Sequence, residues 1–445
     1  RRQPRPTFFP WFLIPIQEQR EKMLGQASVV SRSGARYSRY ILALASQLLL
    51  QQSQSLSWSK RTATTSITVQ SQKQSPTHES KTMSVIGAAG ITTDDQTNAE
   101  SRRAAGEFVR GVSSARNWIT NPADDPDNDD HPFPVESGRY HLYVALNCPW
   151  CHRVAMTRSL LGLEDAISMD VLFPGRTGDD DKVRGPNLWR FAPDGVTGRN
   201  GRHVSFPECG VDTASGTNVT YVKEIYEQSG IMDQRSVPIL YDKKNKVVVN
   251  NESAEIMRMF GTVCLPLSSL DREKLPTLYP HPRESNSDLA SKIDEANEWI
   301  YTDINNGAYK AGFSSNQDVY EKAFRTYFAA LDRLNNLLKQ SDNGNGFICT
   351  AATEGPTESD VRALCTLWRH DAVYHNRMKL NQSYLYDYPF IWSWMKRMLV
   401  LPGLDRMTHK GILAHSRQGY FGRTGNGVVP LGPKLNEDII PDAPK

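Results

Sequence analysis

The sequence predicts two folded parts in succession, an α/β domain and then an all-α domain. Three observations carry this reading. From Gly138 the chain alternates short aromatic or β-branched runs with apolar-periodic ones, in the order β-α-β-α-β-β-α. A Pro-rich stretch at 265–282 then interrupts the pattern. Beyond it only helical spacing recurs, and no internal repeat is present.

Taken in order, residues 139–146 (R-Y-H-L-Y-V-A-L) read as a buried strand. Pro149 stands at a natural first helical position, and the apolar period behind it runs to 163. Residues 166–173 are a second strand, and a Gly-, Asp- and Pro-rich insertion extends to about 216. A helix at 219–228 follows, then strands at 237–241 and 246–250 joined by a polar Lys-Lys-Asn turn, then a short helix at 252–260. That order is the thioredoxin-like pattern, and the domain is placed at 138–264. After a linker at 265–284, helices are expected at 288–305, 317–339, 358–376 and 389–399, within a helical domain spanning 285–418. Thr357 with Asp360 three residues on resembles a capping box. Residues 419–445 read as a Gly- and Pro-rich tail.

Composition sets the outer limits. A chain of 445 residues with 39% hydrophobic and 23% charged side chains can bury a sizeable core and is ordinary for a globular protein. The net charge of +3 conceals an asymmetry: through Lys81 there are 12 basic side chains against Glu18, Glu21 and Glu79, a balance of +9. The remaining 40 basic and 46 acidic residues leave the rest at −6, so no nucleic-acid footprint is evident and none is expected as a partner. Residues 1–82 form a Ser-, Gln- and Arg-rich, acid-poor leader, followed by an extension at 83–137. The leader reads either as an organellar targeting segment or as translated upstream sequence with Met23 or Met83 as the start. Its apolar stretch at 41–50 is too short to span a bilayer and nothing later is longer, so no membrane association is expected. The compartment is accordingly the cytoplasm, or a chloroplast or mitochondrion if the leader is an address.

The chemistry centres on Asn147-Cys148-Pro149-Trp150-Cys151-His152-Arg153, at a strand-to-helix junction. A thiol just before a helix meets unsatisfied N–H groups and the positive end of the helix dipole, which favour thiolate; at such sites a free value near ~8.5 falls to about 3.5 to 7.5. Cys148 is therefore the nucleophile, while Cys151, one turn inside, is less exposed and less activated. The other cysteines, at 209, 264, 349 and 365, are scattered, which suits a reducing compartment. C-P-W-C-H also fits haem attachment, but its place after a strand in an α/β pattern argues against haem. Zinc would want a second ligand pair at suitable spacing, and none follows.

Five ordered blocks now carry a resemblance: C-P-W-C-H-R; V-P-I-L-Y-D-K-K with V-V-N-N-E-S-A-E-I-M-R-M-F; N-N-G-A-Y-K-A-G-F; T-L-W-R-H-D-A-V-Y; and G-V-V-P-L-G-P. Together, over residues 139–433, they resemble the glutathionyl-hydroquinone reductases, the omega-like xi class of glutathione transferases. The resemblance implies a thioredoxin-like glutathione-binding domain and a helical glutathione transferase C-terminal domain that supplies the substrate pocket, in a homodimer. It implies glutathione as co-substrate, with neither metal nor haem, and glutathionylated quinols as the other partner. Cys148 matches the catalytic cysteine. Val237-Pro238 matches the cis-proline turn that pairs with the cysteinyl part of glutathione, and Glu252-Ser253 the pair that holds its γ-glutamyl end. Trp189 matches a pocket tryptophan that also serves glutathione, and Tyr309 a catalytic tyrosine of the quinol site.

Two departures from the family pattern stand out. Cys151 occupies a place usually taken by Ala or another small residue, which opens a resolving role through a Cys148–Cys151 disulfide beside the bland one of a packed spacer. The family's H-Y-Y block is replaced by His415-Ser416-Arg417-Gln418-Gly419-Tyr420-Phe421, so that Tyr420 supplies the second pocket tyrosine only by a shift of register. The expected reaction is reduction of S-glutathionyl-hydroquinones through a cysteinyl-glutathione mixed disulfide. Its rivals are an omega-like or glutaredoxin-like thioltransferase or dehydroascorbate reductase, and a non-catalytic binding or scaffold protein that kept the fold.

Overall fold

The computed structural model describes residues 93–124, 126, 130–178, 185–198, 200–281, 287–422, 427–432, 439–440 and 442, with side chains from 99 onward. The basic leader expected at 1–82 lies outside them.

A four-stranded mixed sheet organises the first domain: β1 (Tyr140–Val144), β2 (Ser168–Val171), β5 (Ile239–Asp242) and β6 (Val247–Asn250), in the order β2-β1-β5-β6. β1 runs parallel to β2 with Leu142 opposite Met169, and antiparallel to β5 with Tyr143 opposite Ile239. Every residue of β1 is buried, as befits a central strand covered on both faces, and its one polar residue, His141, meets Ser168 Oγ at 2.8 Å. Three helices of this domain follow their expected places: α2 (Pro149–Leu160), α3 (Val222–Gln228) and α4 (Ser253–Phe260), α1 being Thr93–Ala104 in the extension. All twelve residues of α2 are buried, because α4 packs against it within the domain and α8 (Glu358–Leu367) from the helical domain. A helix with no solvent face has no polar stripe, and its polar residues must find partners inside. Arg158 does so at the carbonyls of Ile167 and Glu164.

The insertion expected to be irregular carries a small antiparallel ribbon, β3 (Val196–Thr197) with β4 (His203–Val204). These strands are too short to leave an alternation that sequence could reveal. The extension also has a structural task. It lies beside the open edge of the sheet, Asn117 N–H donating to Val249 O at 3.0 Å and Asn251 N–H to Ala115 O at 3.0 Å, which covers β6.

The helical domain is built from α5 (Asp288–Trp299), α6 (Asn306–Gly312), α7 (Gln317–Gln340), α8, α9 (Pro389–Leu399) and α10 (Lys410–Phe421). The helix expected at 288–305 passes through a π-helical stretch, Ile300–Asn305, into α6, and the one expected at 358–376 ends at Leu367 before a second π stretch, His370–Tyr374. The cap at Thr357 is present: Asp360 accepts from Thr357 N at 2.9 Å and also from Ile348 N and Trp394 Nε1. α10 continues through Tyr420 to Phe421, beyond the helical boundary expected at 418.

Candidate active site

Cys148 is the N-cap residue of α2, half-buried, in extended conformation at the end of the loop after β1. Its thiol is pulled down from the usual range to about 6. The largest cause is a hydrogen bond from the Cys151 side chain, joined by the backbone N–H groups of Cys151 and Trp150 and by attraction to Arg110, against the opposing effect of burial. Cys151 moves the opposite way: fully buried and beside the Cys148 charge, its own thiol is held well above its ordinary value. The pair thus divides into one thiolate and one S–H donor. All six cysteines are free thiols.

The loop that presents Cys148 is fastened from the helical domain. Arg369 is buried, and its guanidinium donates to Leu146 O at 2.8 Å, to Asn147 O at 3.3 Å and to His152 Nδ1 at 2.8 Å. Because Nδ1 accepts from a cation, His152 carries its proton on Nε2, which donates to Met407 O at 2.6 Å. Burial and the Arg369 charge hold His152 well below its ordinary pKa, so it is neutral. With both ring nitrogens committed, the histidine of C-P-W-C-H has none to offer an iron. Among the described residues no group of three or more His, Cys, Asp or Glu side chains could hold a metal ion.

Of the residues expected to hold glutathione, Val237, Pro238, Glu252 and Ser253 lie at the end of the sheet where β1 leads to Cys148. Val237-Pro238 is a cis peptide, and Val237 O lies 4.0 Å from Cys148 Sγ. Glu252 caps α4, accepting from Ala254 N at 3.2 Å, and about a third of its side chain stays open to solvent. Ser253 is buried, and its Oγ accepts from Arg153 Nε at 3.1 Å and Nη2 at 2.7 Å. Those two bonds use the acceptor capacity of the hydroxyl and leave its O–H to be donated to an anion. Arg153 itself is fully buried, brought down to about 10 mainly by desolvation, and its Nη1 has no hydrogen-bond partner. Ser113 of the extension reaches in as well, 3.2 Å from Glu252 Oε2. Trp189 sits in the core with Arg176 5.1 Å from its ring centre, and its buried indole N–H is unpartnered. Arg153 Nη2 also pairs with Glu252 Oε1 at 3.7 Å, so the groups left open to an incoming acceptor are Arg153 Nη1 and the Trp189 indole N–H.

On the other side of Cys148 lies an aromatic cluster. Tyr309 on α6 and Tyr420 on α10 meet hydroxyl to hydroxyl at 2.5 Å, and Tyr374 joins Tyr420 at 3.3 Å. Trp150, Phe108, Phe313 and Tyr374 surround the Tyr309 ring at centroid distances of 5.5 to 6.4 Å. Burial, then Tyr420 and the charge of Cys148, push the Tyr309 phenol well above its usual range, so it keeps its proton at neutral pH. Tyr420 comes this close because α10 carries Gly419, where a Cβ would fall 2.7 Å from Asn147 Cβ. Sequence reasoning missed Tyr374, Trp150, Arg153 and Arg110. The first three stand inside quoted motifs, where their spacing reads as packing; Arg110 belongs to a stretch with no periodic signal.

Comparison with known proteins bears on this geometry. The glutathione S-transferase N-terminal domain family matches residues 147–263, and the C-terminal domain family residues 317–397. The glutathionyl-hydroquinone reductase YqjG of Escherichia coli K12 is 34% identical over 340 residues, 75% of this chain and 91% of that protein. The crystal structure of glutathione-S-transferase Xi from Phanerochaete chrysosporium superposes with a TM-score of 0.62 at 35% identity, covering 77% of this chain and 96% of that one. The chain belongs to the xi-class glutathione transferases. This xi-class chain also resembles the glutathione-bound structure of Escherichia coli YqjG, with a TM-score of 0.59, 32% identity, and 74% and 96% of the two chains covered. Its fold is accordingly a thioredoxin-like N-terminal domain joined to a helical transferase domain, and no helix among its described residues is long and apolar enough to cross a membrane.

Proposed function

We propose that this chain is a glutathione-dependent reductase of S-glutathionyl-hydroquinones, working through a mixed disulfide between Cys148 and glutathione. The observation that supports it most is the pairing of a stabilised thiolate at Cys148 with a protonated phenol at Tyr309 in an aromatic slot. In this reading the glutathionyl part of the substrate lies along Val237-Pro238. Its γ-glutamyl ammonium meets Glu252, and its carboxylate meets Ser253 O–H and the N-terminus of α4. Trp189 flanks it and offers its indole N–H. The quinol ring enters between Trp150, Tyr309 and Tyr420.

The C–S bond can release its electron pair most easily into a carbonyl. Tyr309 therefore gives a proton to the sulfur-bearing ring carbon while the adjacent ring hydroxyl loses its own, which returns to the tyrosine pair. The Cys148 thiolate then attacks the glutathionyl sulfur. The S–S bond forms, the C–S bond breaks, and its pair restores the aromatic ring and resides on oxygen as a phenolate. The thiolate of a second glutathione attacks the glutathionyl sulfur of the mixed disulfide, releasing oxidised glutathione and Cys148 thiolate, and its proton neutralises the phenolate. The ring carbon is reduced by two electrons and two glutathione sulfurs are oxidised.

The relatives include two whose names carry this activity, YqjG and PcpF of Sphingobium chlorophenolicum, the latter 30% identical over 75% of this chain and 92% of that protein. A thioltransferase or dehydroascorbate reductase would share Cys148 but would not need the tyrosine pair. Assay of a glutathionyl-hydroquinone beside dehydroascorbate, on one preparation, tests the reading; turnover confined to dehydroascorbate would overturn it. The reading extends to a homodimer, which sedimentation at micromolar concentration tests. Its chemistry consumes thiols, and so belongs in a reducing compartment, cytoplasmic or organellar.

A further inference from the structure

Arg110 arrives at the site from outside both transferase domains, on the extension that covers β6. Its guanidinium carbon stands 4.0 Å from the Trp150 ring centre, 5.1 Å from Tyr309 and 5.6 Å from Phe108. Its Nε donates to Asn306 Oδ1 at 3.0 Å. Asn306 is on α6, one turn before Tyr309, so the anchor of the cation and the phenol share one face of one helix. The opposite end of the fork is different: Nη2 is shielded from solvent and has no hydrogen-bond partner. No carboxylate pairs with Arg110 among the described residues.

A guanidinium nitrogen shielded from water without a hydrogen-bond acceptor is costly, and the rings and the attraction of the Cys148 thiolate contribute only part of the compensation. A site retains such a group when an anion arrives during its work. The guanidinium is flanked by the flat rings of Trp150, Tyr309 and Phe108, which suit an oxygen anion carried on an aromatic ring better than an aliphatic carboxylate. Resting on the reading above, in which the ring oxygen becomes a phenolate as the C–S bond breaks, the step has such an anion and no other assigned cation to receive it.

We propose that Arg110 is a catalytic residue of the hydroquinone step, donating from Nη2 to the ring oxygen that becomes phenolate. It stabilises charge that develops in the transition state, as an oxyanion donor does, while Tyr309 attends to the carbon. The extension then serves as more than a cover for the sheet edge. It supplies half of the polar apparatus that distinguishes a quinol substrate from a simple disulfide.

The test is Arg110→Gln and Arg110→Lys in the full chain, assayed on a series of S-glutathionyl-hydroquinones of graded phenol acidity and on hydroxyethyl disulfide. For Arg110→Gln, kcat on the hydroquinones should fall about 100-fold, the scale of a lost oxyanion donor. The fall should be steepest for the least acidic phenols. Disulfide reduction also loses the attraction of Arg110 for Cys148, but should fall by only about threefold, since that attraction ranks below the Cys151 side chain and the two backbone donors among the causes of the Cys148 shift. Arg110→Lys, which keeps the charge but not the fork, should recover part of the hydroquinone rate and none of the geometry. Equal losses on both substrates in both variants would assign Arg110 to the thiolate or to folding and overturn the proposal. A raised KM for glutathione with kcat intact would assign it to glutathione and also overturn it. Wild-type protein that reduces the disulfide but no hydroquinone would overturn the underlying reading, and this proposal with it.

Discussion

Tyr420 Oη lies 2.5 Å from Tyr309 Oη, so the last described helix of the fold completes a phenolic pair begun more than a hundred residues earlier. One of the two hydroxyls must donate to the other, and the recipient is left better able to give up its own proton. Replacing Tyr309 by Phe should lower hydroquinone turnover by about 100-fold, the usual worth of a positioned acid, and Tyr420→Phe by about tenfold. Both should affect disulfide reduction less. Steady-state rates on the two substrates check this, and equal losses on both would contradict it.

The division of labour between the two cysteines of C-P-W-C has a pH signature. With Cys148 near 6, the thiolate fraction rises with pH and the alkylation rate by iodoacetamide should climb through about pH 6 and then level. Cys151 is the largest contributor to that low value. Cys151→Ala should therefore shift the midpoint upward while leaving hydroquinone turnover at pH 8 to 9 close to normal, as a glutathione-resolved route requires. Loss of turnover at high pH, with an internal disulfide in the oxidised wild type, would make Cys151 a resolving cysteine.

Arg369 ties the helical domain to the carbonyls of Leu146 and Asn147 beside the nucleophile. Arg369→Ala should cost roughly 3 kcal/mol, since several buried acceptors lose their donor at once. Arg369→Lys should recover little, because one ammonium cannot reach the sites of a planar fork. Urea midpoints measure the cost. A variant as stable as wild type would show that the strut is not what holds the loop.

Gly419 faces the Asn147 side chain with no space for a Cβ. Gly419→Ala should push α10 away and separate Tyr420 from Tyr309. A displacement near 1 Å in a positioning element costs up to about 100-fold, so hydroquinone turnover should drop while the thermal midpoint changes little. An unchanged rate would mean that Tyr420 contributes nothing by its closeness.

Much of this was legible in the sequence because each feature has a local cause. Cys148 sits where a strand meets a helix opened by Pro149, Thr357 precedes Asp360 by three residues, and β5 and β6 are apolar runs up to their last residue. α10 was not legible. Its sequence, K-G-I-L-A-H-S-R-Q-G-Y-F, carries a glycine near each end, each a penalty that offsets good helix formers such as Leu413, Ala414 and Arg417, and tertiary contacts hold the helix. Ile412 and Leu413 are buried, and His415 Nε2 lies 3.0 Å from Glu208 Oε2 of the insertion. The two π stretches escaped for a similar reason: their extra residue per turn is fitted by packing and leaves the apolar period almost unchanged. Arg110 escaped because its position depends on pairing with a strand edge that lies well over a hundred residues away.

The measurement that bears most directly on the account is a single turnover without free glutathione. Protein is mixed with one equivalent of an S-glutathionyl-hydroquinone, and intact mass, peptide mapping and released hydroquinone are followed together. One hydroquinone should be released per protein and one glutathionyl group gained, on Cys148, with Cys148→Ser doing none of these. Hydroquinone released by Cys148→Ser, or by wild type with the adduct on another cysteine, would contradict it.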